Sequence, residues 1–234
     1  MAVAIPPYSH NHFQTLPSLN QARESFLKSG GDELVQGVFK DFFIKHKMEY
    51  TFGLAMPHRH FNIPPGQMMV NYNGTATAWN ATPGDGMYKP QPAAWSFSPA
   101  GELVPIEFSY SKGHKFEFGE KESVFVAEFR RLLDGRDLRD VFGLCEYPGD
   151  DFEGTCEITI GSANINLKPK DVRQSTTGAK FSTDQFLIQY PEGLEGVDTA
   201  FFFSPPLIKR GCRCVCDNRE DPHGHGAHVT TQSG

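Results

Sequence analysis

The chain reads as an α+β protein: a mostly antiparallel β sheet, or a barrel-like core, with two N-terminal helices and one middle helix packed on it. Three observations predict this. Twenty Phe stand among 234 residues that are 38% hydrophobic, a heavy supply of large core side chains that favour strands. Gly and Pro number 23 and 17, as many short strands joined by turns require. Apolar residues recur at helical spacing in three stretches, and elsewhere the chain reads mainly as strands.

Taken in order, roughly the first ten residues read as an extended arm. Ser18 and Gln21 form a capping-box pattern, in which each side chain satisfies a backbone donor of the other, so a helix starts there. Leu19, Ala22 and Phe26 share its buried face, and Gly30-Gly31 ends it. Asp32 reads as the N-cap of a second helix, with Leu34, Val35, Val38, Phe39, Phe42 and Phe43 on its core side. Strands are expected at 50–56, 68–72, 75–79, 94–98, 103–110 and 114–118, with 80–93 as the longest loop. Residues 103–118 read as a hairpin turning at Ser111-Lys112-Gly113, with Ile106, Phe108 and Tyr110 on its apolar face and Glu107 and Ser109 on the other. The third helix covers 121–133, where Phe125, Val126, Phe129, Leu132 and Leu133 form a stripe. Further strands are expected near 140–146, 155–160, 163–167, 185–190 and 198–203.

No repeat or low-complexity linker divides the chain. Residues 1–210 read as one α+β domain. Residues 211–234 differ in composition and form a Cys/His-rich segment, packed on or tethered to the same domain.

The formal net charge of −6 argues against nucleic-acid binding, which needs a basic footprint, and against attraction to an anionic membrane. No apolar run is long enough to span a bilayer. The N-terminus lacks a basic region followed by a long apolar one, so the chain reads as cytoplasmic, and its five Cys as reduced thiols or metal ligands. Nucleophile-elbow, P-loop, dinucleotide-binding and H-E-x-x-H signatures are absent.

Two constellations carry chemistry. In the first, Met56-Pro57-His58-Arg59-His60-Phe61 follows a strand, and in an extended chain His58 and His60 share a face. Two imidazoles so placed can chelate one metal, or one can act as a base while Arg59 orients an anionic or carbonyl group. His114, on the aromatic face of the expected hairpin, is the natural third member. The pair resembles the first cupin motif, which also places two histidines one apart in a β-barrel. The Glu of that motif is missing, since Phe61, Asn62, Ile63 and Pro64 stand in its place, and no second cupin motif follows; the family is not assigned.

In the second, Cys212, Cys214 and Cys216 alternate, followed by His223, His225 and His228. Thiolate and imidazole together suit zinc or another divalent transition metal, with glycines between the histidines that let the backbone wrap an ion. Glu102 and Glu107 read as surface groups, and Cys145 and Cys156 as core.

Two readings follow. One is an enzyme acting on a small apolar or aromatic molecule through His58, Arg59, His60 and His114, with a metal or without, and with no nucleotide cofactor. The alternative is a non-enzymatic zinc- or thiol-binding or interaction protein acting through the C-terminal Cys/His segment.

Overall fold

The computed structural model describes residues 6–82, 89–110, 116–152, 154–167 and 195–204, and the backbone of 209–216. It shows an α+β fold built on a curled, mixed sheet. The strands are β1 (Phe52–Ala55), β2 (Gln67–Tyr72), β3 (Thr75–Asn80), β4 (Gln91–Phe97), β5 (Leu103–Ser109), β6 (Gly143–Glu146), β7 (Thr155–Ile160), β8 (Ala163–Leu167), β9 (Glu195–Phe202) and β10 (Lys209–Cys216). Their spatial order is β1-β6-β4-β5-β2-β3-β8-β7-β10-β9, and β9 pairs back onto β1. All neighbours run antiparallel except β2 with β5 and β7 with β10.

Strand alternation gives the sheet two unlike faces. Register partners share a face, which places Gly53, Cys145, Ala94, Glu107, Met69 and Ala78 on one side in adjacent strands. Ala76, Asn164 and Thr159 continue that side around the curl. Small residues there suit the inside of a tight curl. Gly53 and Gly143 are needed for the close fit. A Cβ on Gly53 would stand 2.2 Å from the Phe202 ring, and one on Gly143 would stand 2.2 Å from the Trp95 carbonyl oxygen.

The outer face carries Phe52, Leu54, Trp95, Phe97, Leu144 and Phe201, and the helices bury it. Helix α2 (Leu19–Lys28) has the expected capping box and sets Phe26 flat against Phe201, centroids 5.8 Å apart. The next helix begins at Gly31, not at an Asp32 cap, because Gly30 takes the left-handed conformation (φ 68°) and turns the chain directly into it. Asp32 lies instead in the first turn, where negative charge suits the dipole. This helix runs as α3 (Gly31–Leu34), a π turn at Val35–Phe39 and α4 (Lys40–His46), and Lys47 in the left-handed region ends it. Helix α5 (Glu120–Asp134) buries Phe125, Val126, Phe129 and Leu133. Rings of Phe39, Phe42, Phe43, Phe125 and Phe129 lie within 4.7–6.4 Å of ring neighbours in this layer.

One helix is unexpected, and one further expectation fails. Residues 6–9 of the expected arm carry no helix, and α1 (His10–Thr15) follows them; it is capped by Ser9, whose side chain accepts from the His12 amide, and it ends before Pro17. Its Phe13 and Leu16 pack with Met69, Ala76 and Ala94 on the inner face, so tertiary burial holds a helix too short to persist alone. The return arm of the 103–118 hairpin is not a strand over Phe116–Phe118. Both edges of β5 are already taken by β4 and β2, and Phe116 and Phe118 turn in to pack on Phe52 and Trp95. The strand expected at 185–190 lies outside the described residues. The composition change at 211 falls within β10, whose backbone pairs with β7 and β9. Among the described residues no helix is long and apolar enough to cross a membrane.

Candidate metal centre and its cavity

Beyond β1 the chain stays tied in place. The Met56 amide donates to the Thr199 carbonyl (2.8 Å) and the Arg59 amide to that of Pro17 (2.8 Å). Arg59 sends its guanidinium to the carbonyl and side-chain oxygens of Gln14, both at 3.0 Å. Arg59 is thereby engaged with α1, while His58 and His60 on either side of it come together. Their ring centroids lie 4.5 Å apart at an interplanar angle of 73°.

Both histidines are buried, at 7% and 8% exposure. His58 Nδ1 lies 2.9 Å from the Met56 carbonyl oxygen. A carbonyl only accepts, so Nδ1 carries the proton and Nε2 of the neutral ring keeps its lone pair. Metal-binding histidines are held in the same way, with the far nitrogen donating to a carbonyl or carboxylate. His60 Nε2 lies 3.6 Å from Glu157 Oε2. Glu157, from the middle of β7, is also buried, and its other oxygen accepts from Asn164 Nδ2. Asn164 is fixed in turn by the Thr159 hydroxyl, 3.0 Å from its Oδ1. One ligand atom from each of His58, His60 and Glu157 lies within 4.8 Å of the other two.

A cavity of about 680 Å³ opens further along the same strands, and none of these three residues lines it. Thr155 and Asn166 line it, two residues from Glu157 and Asn164 on the same faces of β7 and β8. Glu107 lines it from β5, and Tyr147 and Phe152 add aromatic wall. Burial, then the charge of Glu157, pushes the Glu107 carboxyl up from its ordinary 4.5 to about 7. Glu107 is therefore not the surface group its strand pattern suggests; Glu102 is exposed as expected.

Elsewhere on the inner side, His12 Nε2 of α1 meets the Ser96 hydroxyl at 2.7 Å, and burial lowers the His12 pKa. His114, His223, His225 and His228 lie outside the described residues. Cys212, Cys214 and Cys216 belong to β10, of which only the backbone is described. The structure therefore brings together His58 and His60, directs Arg59 to α1, and adds Glu157, Asn164 and Glu107, which sequence reasoning missed. The available signal was polar alternation: Thr155, Glu157 and Thr159 in one strand faced Asn164 and Asn166 in the next. Comparison with protein-family models, curated proteins and solved structures finds no match for this chain.

Proposed function

We propose that the protein is a small-molecule enzyme whose centre is a divalent transition metal held by His58, His60 and Glu157. The observation that carries this reading is the buried meeting of two imidazoles and a carboxylate, with a cavity lined by Thr155, two residues along β7 from Glu157. Two histidines and one carboxylate hold zinc or non-haem iron while leaving coordination positions open, the arrangement of catalytic sites rather than of closed structural ones. An ion there would polarise a bound oxygen or activate a water. Asn164 and Thr159 would orient the carboxylate, and the Met56 carbonyl the first imidazole. Arg59 in this reading is a positioning residue: it braces the His-x-His segment against α1.

Metal analysis of the purified chain tests the proposal. About one equivalent of zinc or iron is expected, retained when residues after Cys216 are removed or Cys212, Cys214 and Cys216 are changed to Ser. It should be lost in His58→Ala/His60→Ala, with circular dichroism unchanged. Metal that follows the cysteines and the tail, with His58 and His60 dispensable, would return the function to the C-terminal segment.

A further inference from the structure

The cavity lies on the inner side of the curled sheet, and its polar lining is rich in amides and hydroxyls from β2, β5, β7 and β8. Register places Asn71 beside Ser109, two residues on from Glu107. It also places Asn166 beside Glu157, two residues on from Thr155. The Asn71 side-chain oxygen accepts from the Gly74 amide at 3.1 Å, a bond that leaves its N–H groups uncommitted. Among the described residues the side chains of Ser109, Thr155 and Asn166 hydrogen-bond to no protein group. Tyr147 and Phe152 stand edge-on to Phe202, centroids 6.0 and 5.6 Å from it, and give the space an aromatic wall. An anion finds no Lys, Arg or His in the lining among the described residues. Glu146 and Asp150 are acids at this end, but both already interact within the protein, so they do not form a vacant cation site. An apolar ligand would displace water from amides and hydroxyls and leave them unpaired. Each hydroxyl of a polyol donates one hydrogen bond and accepts two, which suits amide, hydroxyl and carboxyl partners alike. Its C–H face suits an aromatic wall. The volume is that of a site for a small organic molecule.

We propose that this cavity binds a neutral polyhydroxylated molecule, a monosaccharide or sugar alcohol, through Asn71, Glu107, Ser109, Thr155 and Asn166, with its C–H face on Tyr147 and Phe152. Its standing as the substrate rests on the metal-centre reading; its binding does not. The proposal differs from the apolar or aromatic ligand expected from the sequence, because the aromatic mass lies on the outer face of the sheet and amides and hydroxyls line the cavity.

The full chain is titrated calorimetrically with glucose, galactose, mannose and sorbitol, and in parallel with cyclohexanol, glucosamine and glucuronate. At least one of the neutral polyols is expected to bind at least about tenfold more tightly than cyclohexanol, glucosamine and glucuronate. Thr155→Val/Asn166→Leu should weaken that polyol at least about tenfold while melting stays cooperative and bound metal is unchanged. Ser109→Ala on β5 should weaken it about threefold or more, and decides the matter where the double variant does not fold. His58→Ala/His60→Ala should keep the polyol and lose the metal. Binding of none of the four polyols, equal or tighter binding of cyclohexanol, the amine or the acid, or indifference to the Thr155, Asn166 and Ser109 variants overturns the proposal. If a polyol binds as expected but the native chain holds no metal, the metal centre alone is wrong. If metal is held by the histidines but no polyol has an advantage, the cavity assignment alone is wrong.

Discussion

The outer and inner faces of one sheet are built from opposite materials. Outside, Phe52, Trp95, Leu144 and Phe201 meet the rings of α2 through α5 in a mostly apolar layer. Inside, glycines and alanines leave room, and the space is filled by α1 at one part and by His58, His60, Glu157, Asn164 and Glu107 at another. Burying apolar area stabilises, by roughly 1.5–3 kcal/mol for a fully buried large side chain, whereas burying a carboxyl group destabilises unless it finds partners. The difference teaches a division of labour: the outer layer supplies stability, and part of it offsets the destabilising polar group held within.

The sharpest way to break that comparison is to weaken the outer layer. Phe129 is fully buried and packs on Phe39, Phe43 and Phe125. Phe129→Ala should lower unfolding free energy by about 3–5 kcal/mol in denaturant titration. Metal bound per folded chain should not change. Loss of metal before loss of fold would mean that the faces are not separable.

Next in size is Glu107. Its folded pKa, about 7, exceeds its ordinary 4.5. Below 4.5 both folded and unfolded chains hold the proton and no difference arises. Between 4.5 and 7 the unfolded chain releases it and the folded chain keeps it, so stability falls as pH rises, and the loss is complete above 7. The drop is at most about 3 kcal/mol, less whatever solvent screens. Glu107→Gln should flatten this part of the pH–stability curve of chelator-treated protein and raise the melting temperature most at pH 8. A variant with an unchanged slope would show that the inner acid carries no such burden.

A smaller effect separates ligands from their supports. Asn164→Ala leaves His58, His60 and Glu157 in place but removes the donor that orients the carboxylate. Metal affinity should fall about 10–100-fold in a competition titration with a chromophoric chelator. Arg59→Ala is the mildest change. Losing its bonds to Gln14 should reduce stability by about 1 kcal/mol and speed amide exchange in α1, with metal affinity changed severalfold at most. If Arg59→Ala instead abolished metal binding and left α1 protected, its place would be in the centre itself.

The helices were legible because their signals are local. Ser18 and Gln21 announce a capping box, and Phe39, Phe43, Phe125 and Phe129 repeat at the helical period. The pairing of His58 with His60 was equally local, since it needs only an extended chain with Arg59 between them. Glu157 was not legible. A polar–apolar alternation along β7 predicts that Thr155, Glu157 and Thr159 share a side, but a polar interior and open solvent give the same pattern. Only the curl of the sheet decides between them. Glu107 was misread for that reason, and the hairpin at 103–118 failed because β5 pairs instead with β4, which directly precedes it, and with β2 further back in the chain. α1 escaped notice because contacts with Met69 and Ala94, far along the sequence, hold its six residues.

The pairing of β9 with β1 sets a timetable for synthesis. β1 emerges from the ribosome early and finds β6 only after α5 has been made; its other edge stays open until β9 arrives near the end of the described chain. Until then an unpaired edge and a half-covered ring of phenylalanines face solvent or a chaperone, the state in which nascent chains aggregate. A ribosome stalled before residue 195 would therefore display a long-lived sticky intermediate, and release of the last strands would end it.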